Sequence, residues 1–318
     1  MVDVNGRIRS TSAGRRAGTD SRYSRRGQRL AAQPRREIRH VVVDTDCGID
    51  DALALLYLAG RPRDCELAAV TTVHGNAPVE AVVANVGHVL GLAGPPDVPV
   101  AVGAGGPMDG SRRAASGTHG SDGLGDLVAA KTPPRAAVGE AAARYLAGLA
   151  RGRPGHYDLL TLGPLTNVAL ALELEPELLT LFRSVLVMGG SAGDTNVRHD
   201  PGAARRVLAA PRTRLLHLGV DVTSTVVADD EAVRRLRAAG TARGEFAAAL
   251  VERYIDAYEG RWGRRAAPVH DALAAALLLR PAWITAARTE PPAGTVVVTD
   301  VDREAFVADL LRTLALDF

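Results

Sequence analysis

Residues Val41 to Leu56 read VVVDTDCGIDDALALL: a β-branched run, four aspartates within eight positions, then an apolar pattern of helical spacing. The Val-Val-Val run predicts a strand over Ile38–Thr45, and Gly48 breaks it where the chain must turn. Asp50 and Asp51 then open a helix, whose dipole favours carboxylates in the first turn. Two carboxylates ~4–5 Å apart nevertheless repel by about 3–4 kcal/mol at an effective dielectric near ~20. Asp44, Asp46, Asp50 and Asp51, crowded at one strand end, therefore call for a cation or for protonation. The bland alternative is a solvated, capped helix start; a set of oxygen donors this dense points to a metal instead.

Outward from this segment, short β-branched runs alternate with Ala/Leu-rich stretches. Strands are expected at Ile38–Thr45, Leu67–Val73, Val98–Val102, Asp158–Leu162, Ser184–Met188, Arg214–Leu218 and Thr295–Thr299. Helices are expected at Asp50–Ala59, Val79–Gly91, Val138–Arg151, Leu165–Leu172, Pro201–Ala210, Asp229–Ala239, Glu245–Tyr258 and Asp271–Leu279. This βαβα alternation predicts an α/β fold: an open, mostly parallel central sheet with helices on both faces. No internal repeat or linker divides the core. The loop from Gly103 to Lys131 is long and glycine-rich, as lids are. Ligands of such sheets sit beyond the carboxyl ends of the strands. The polar groups following each strand are therefore the candidates: Asp46, Asp50 and Asp51; His74-Gly75-Asn76; GPLTN at 163–167; Asp194, Asn196 and His199; and His270-Asp271 at the start of a late helix.

Composition narrows the function classes. The chain has 318 residues, 47% of them hydrophobic, enough for a large buried core, while aromatics are 4%. Cys47 and Cys65 are too few for a disulfide framework and point to a reducing, cytoplasmic setting. No run reaches the ~18 apolar residues of a membrane span. Ten arginines against two aspartates give residues 1–36 a formal charge of +8, which leaves −6 on residues 37–318. That Arg-rich stretch is expected to be a disordered extension, a solvated tail or an over-extended translation start, without the apolar core of a signal peptide. Residues 37–318 are expected to form a single domain. Its acidic, aromatic-poor character makes a nucleic-acid module the weakest reading.

The segments DTDCGIDDALALL, VTTVHGN, LGPLTNVALAL, VLVMGG, DPGAARRVL and PVHDALA, in this order, resemble the nucleoside hydrolases. The resemblance runs from Ile38 nearly to the C-terminus. It implies calcium-dependent hydrolysis of the N-glycosidic bond of ribonucleosides, in nucleoside salvage, by a homodimer or homotetramer. By position it implies Asp46, Asp51, Asp271 and the carbonyl of Leu162 as Ca²⁺ ligands, with Asp46 accepting a proton from the attacking water. Oxygen donors suit Ca²⁺. Asp50, Asn76, Asn196 and Asp271 would hold the ribose hydroxyls, and Met188 would line the site. His270 would either protonate the leaving base, as a group titrating near neutrality, or orient its ligand neighbour. His119 would reach the sugar or base from the lid. Asn167 is expected to cap a helix, and His199 to be structural.

Three departures stand out. Cys47 replaces a proline; a thiol does not suit calcium, so it is expected to be a packing variant. The loop after Met188-Gly189-Gly190 is short, and Asp194-Thr195-Asn196 stands where the family carries Glu-Phe-Asn. Asp194 would therefore contact the ribose 5′-hydroxyl with a shorter arm, and Thr195 would open the pocket. The alternative to an ordinary ribonucleoside hydrolase is thus a ribose-binding or weakly active homologue taking a 5′-modified riboside. The Arg-rich extension is the third. Base contacts are expected from the 103–131 loop and from the helix carrying Tyr254, Tyr258 and Trp262. A phosphoryl-transfer enzyme of the haloacid dehalogenase type would explain DTD but needs a downstream lysine, and Lys131 lies inside the glycine loop.

Overall fold

The computed structural model describes residues 37–94, 97–111, 117–128, 133–134, 136–191 and 193–316. The expectations for residues 1–36 and for Lys131 lie outside the described residues. In chain order the elements are β1 (Arg39–Thr45), α1 (Ile49–Ala59), β2 (Cys65–Thr72), α2 (Val79–Ala93), β3 (Pro99–Ala101), β4 (Ala136–Val138), α3 (Ala142–Gly152), β5 (Tyr157–Thr161), α4 (Thr166–Leu174), α5 (Leu178–Leu181), β6 (Ser184–Met188), α6 (Thr195–His199), α7 (Pro201–Ala209), β7 (Leu215–Leu218), α8 (Val220–Thr223), β8 (Val227–Asp229), α9 (Asp230–Ala238), α10 (Ala242–Trp262), β9 (Ala266–Pro268), α11 (His270–Leu279), β10 (Ile284–Glu290), β11 (Thr295–Val301) and α12 (Arg303–Leu314).

Nine strands form one sheet in the order β10-β11-β7-β6-β5-β1-β2-β3-β4. Its neighbours run parallel except for β10, which pairs antiparallel to β11 at the edge. The expected open, mostly parallel α/β sheet is borne out. Alternate residues of one strand enter opposite cores: Val41 and Val43 join one apolar cluster, Val42 the other. That is the period-two signature of a sheet covered on both faces.

Every expected strand is present, and several elements go beyond them. Val138 ends β4 instead of starting a helix, and α3 begins at Ala142. Strand β10 has no buried residue, so it offered no apolar alternation to read. Helix α12 did carry a signal, because Phe306, Leu310, Leu311 and Leu314 are buried at helical spacing behind an Asp302 cap.

Strand β1 sits centrally between β5 and β2, so the carboxyl ends of β1, β2, β5 and β6 open on one rim. Helix α11, buried along its whole length, packs on α1. The first turns of both helices meet at this rim, bringing Asp50 and Asp51 to His270 and Asp271.

Candidate active site

Burial comes first, because it sets the electrostatics. Asp46, Asp50, Asp51 and Asp271 are all at most 4% exposed. Ligand atoms of Asp50, Asp51 and Asp271 lie within 4.8 Å of one another. The first turns of α1 and α11 carry all three, where two helix dipoles offset part of their repulsion. Asp51 and Asp271 of the set expected from sequence are in this group of side chains, together with Asp50; Asp46 is not.

Each remaining carboxylate is held by neighbours. Asp51 accepts hydrogen bonds from the Thr45 hydroxyl and from Gly48 N at 2.9 Å. Asp46 accepts from Asn76 N at 2.8 Å and from Asn76 Nδ2 at 3.1 Å. Gly75 is required for that approach, since its φ is +157° and a Cβ would fall 2.0 Å from Asp46 Oδ2. Asn196 Nδ2 donates to the Leu162 carbonyl at 2.6 Å, so the carbonyl expected to face a metal carries one amide donor. Its second lone pair is not used by that bond. Asp271 Oδ1 is buried with no hydrogen-bond partner among the described residues.

Crowding raises the affinity of these groups for protons. Burial, then Asp51, pushes the Asp50 carboxyl up to about 8. Burial pushes Asp271 well above the carboxylate range, with Asp50 and Asp51 adding to it, and burial followed by Asp51 does the same for Asp46. The histidines move the other way. Burial lowers His119 to about 4, and burial, then His119 and Arg261, lowers His270 to about 3. Burial thus favours the neutral form of His270 around pH 7.

A cleft of about 240 Å³ opens over this cluster, near the lower end of small-molecule sites. Asp50, Asn76, His119, Leu162, Met188, Asp194, Asn196, His270 and Asp271 line it. Asp46 and Asp51 do not; they are tied to its lining through Asn76. His119 enters from the 103–131 loop, its Nδ1 accepting from Ile49 N at 3.1 Å. Tyr254, Tyr258 and Trp262, four residues apart on α10, form one wall, with successive ring contacts of 5.0 and 4.9 Å. Asp194 is buried and accepts from Ser191 N at 2.9 Å.

One expectation changes here. Asn167 caps no helix: its amide donates to Asp44 Oδ1 at 2.7 Å and to Thr72 O at 2.8 Å, and its Oδ1 accepts from Ala104 N at 2.9 Å. It ties two strand ends to the stem of the glycine loop. Thr223 carried no sequence signal, yet its hydroxyl lies 2.6 Å from His270 Nδ1. Arg198, Val220 and Ser224 also line the cleft unanticipated, whereas the tyrosines could be found from their i, i+4 spacing. Cys47 is fully buried at φ +38°, and its carbonyl accepts from Asn85.

Residues 41–309 match the family profile described as inosine-uridine preferring nucleoside hydrolase. The chain belongs to the nucleoside hydrolases. It is 32% identical over 255 residues to a probable uridine nucleosidase 1 of Oryza sativa subsp. japonica, covering 77% of this chain and 78% of that one. It is 31% identical over 304 residues to the pyrimidine-specific ribonucleoside hydrolase RihA of Salmonella dublin, covering 85% and 96%. Its fold superposes on a purine-preferring ribonucleoside hydrolase from Gardnerella vaginalis with a TM-score of 0.80 at 25% identity, covering 87% and 98%. As a nucleoside hydrolase the chain is a hydrolase acting on ribonucleosides. No helix among the described residues is long and apolar enough to cross a membrane.

Proposed function

We propose that the chain hydrolyses the N-glycosidic bond of ribonucleosides at this cleft, with Ca²⁺ held by Asp51, Asp271 and the free lone pair of Leu162 O, and with Asp46 beside it. The observation that carries this reading is the buried Asp271 carboxylate, which has an oxygen within 4.8 Å of oxygens of Asp50 and Asp51 and whose Oδ1 has no hydrogen-bond partner among the described residues. An orphaned buried oxygen of this kind costs free energy unless something neutralises it. An all-oxygen donor set suits a hard divalent cation. When bound, that ion supplies charge neutralisation and acidifies a water molecule.

The chain's own groups do the remainder. Asp46, aimed by both nitrogens of Asn76, takes the proton of the attacking water. Asn196 and Asn76, fixed by Leu162 O and by Asp46, present polar edges to the ribose hydroxyls together with Asp50 and Asp271. The α10 aromatic wall stacks the base. The hydroxyl contacts predict strong discrimination against 2′-deoxynucleosides.

The test is a panel of purine and pyrimidine ribosides, assayed for reducing sugar before and after chelation, with calcium binding followed by calorimetry. Release of ribose that is lost with chelator and restored by Ca²⁺ is expected. Undiminished turnover after complete chelation, or restoration by Zn²⁺ but not Ca²⁺, overturns the assignment.

A further inference from the structure

Two imidazoles face the cleft, and the partners of their Nδ1 atoms decide what they offer a ligand. His119 Nδ1 lies 3.1 Å from Ile49 N, the first residue of α1. A backbone N–H can only donate, so this Nδ1 carries a lone pair and the ring proton sits on Nε2. His270 Nδ1 lies 2.6 Å from the Thr223 hydroxyl, and Thr223 is fully buried. The Thr223 hydroxyl proton has no other acceptor among the described residues, so the tautomer with Nδ1–H would leave that proton orphaned. Burying an unmade donor costs about 1–3 kcal/mol. Donation from Thr223 to Nδ1 avoids that cost and places the His270 proton on Nε2. Neither Nε2 is enclosed or bonded to protein among the described residues, and both rings line the cleft.

We infer that Thr223 is a positioning residue that, in parallel with Ile49 N on His119, sets His270 as an Nε2–H donor, so that the leaving base is received by two neutral imidazole N–H groups. This rests on the ribonucleoside hydrolysis proposed above and specifies its leaving-group half. The ligand chemistry that fits is a nucleobase with lone pairs on ring nitrogens or exocyclic oxygens. As the C–N bond breaks, its electron pair passes to the base, which departs as an anion hydrogen-bonded to both Nε2–H groups. Neither histidine gives up its proton. Water supplies hydroxide to the sugar carbon and a proton to Asp46, and that proton returns through solvent to the base.

The experiment combines ¹⁵N-histidine NMR of the full chain with Ca²⁺ present and kinetics of Thr223→Val and Thr223→Ser. Resonances of His270 and His119 are assigned by their loss in His270→Gln and His119→Gln. Expected in the unmodified protein is a protonated-type Nε2 and an unprotonated-type Nδ1 on both rings. Thr223→Val, nearly isosteric, moves His270 towards an Nδ1–H mixture while His119 is unchanged; Thr223→Ser restores the original pattern. On uridine and inosine, Thr223→Val lowers kcat by about tenfold with KM nearly unchanged, the scale of one hydrogen bond. On 4-nitrophenyl riboside, whose leaving group needs no donor, the loss stays below about threefold. A purely structural role for Thr223 lowers both substrates alike and overturns the inference, as does an Nδ1–H signal on His270 in the unmodified protein. The NMR result needs no turnover, so failure of the hydrolysis reading shows as inactivity on every riboside with the tautomer pattern intact.

Discussion

Asn196 Nδ2 sits 2.6 Å from the Leu162 carbonyl, joining the residue after β5 to the short helix α6 in the lining of the cleft. The amide is thereby pinned with its oxygen free to turn towards a sugar hydroxyl. Asn196→Ala is expected to raise KM for ribonucleosides by about tenfold or more, the loss of one oriented hydrogen bond. Asn196→Asp sets a carboxylate against a carbonyl and is expected to do worse. Steady-state kinetics on uridine check both, and an alanine variant with unchanged KM rejects the contact.

Stability of the metal-free protein should fall as pH rises above about 7. The Asp50 carboxyl has its folded pKa raised from 3.8 to about 8. A group raised in this way contributes fully below its unfolded value, and that contribution is lost as pH climbs through the folded one. Scanning calorimetry with chelator at about pH 7, 8 and 9, above the range in which the buried neutral His119 and His270 oppose the effect, should therefore show a falling Tm. Calcium, which binds the ionised carboxylates, should raise Tm by an increment that grows with pH. An increment that shrinks with pH contradicts the assignment of these carboxylates to the ion.

Asp46→Asn is nearly isosteric and its single amide oxygen can keep one of the two bonds donated by Asn76, but it removes the proton acceptor. A fall of about 10²–10⁴ in kcat is expected, with calcium affinity reduced far less. Asp51→Ala removes a carboxylate of the tight group and should abolish the calcium-dependent rise in Tm. Equal losses of turnover and calcium binding in Asp46→Asn would make Asp46 a ligand without a separate role as base.

Asn167 bridges Asp44, Thr72 and Ala104. Asn167→Ala leaves buried partners unmade and is expected to cost about 3 kcal/mol, several degrees of Tm in a domain of this size. Asn167→Asp, which places a second carboxylate on the fully buried Asp44, should be more damaging. Thermal melts of the two variants read this directly.

Asp194 lines the cleft with one oxygen committed to Ser191 N. Contact of its other oxygen with the ribose 5′-hydroxyl predicts that Asp194→Ala loses about one to two decades in kcat/KM on ordinary ribonucleosides. A 5′-deoxynucleoside should be a poor substrate already and indifferent to the substitution. A change below about threefold on parent nucleosides favours an open 5′ end instead.

Much of this was legible locally. Valine runs and helix-opening carboxylates act over a few residues, so β1, α1, the carboxyl-end positions of Asp46, Asn76 and Asn196 and the helix-opening position of Asp271 could be placed from periodicity and turn chemistry. The exposed β10 has no buried face and so left no pattern, whereas α12 did leave one in its apolar spacing.

What local sequence could not decide is which groups meet. Asp50 joins Asp51 and Asp271 because α1 packs against α11, a contact between helices more than two hundred residues apart. Asn167 looks like a helix cap in its own neighbourhood, but three distant partners claim its amide. His270 has an ordinary titration as an isolated side chain; burial removes it, and a hydroxyl from α8 selects its tautomer. Residue order determined the donors and the strand ends on which they stand, because hydrophobic periodicity is a local property. Their partners, charge states and proton positions were decided by tertiary packing, because desolvation and hydrogen-bond satisfaction depend on what surrounds a group in space.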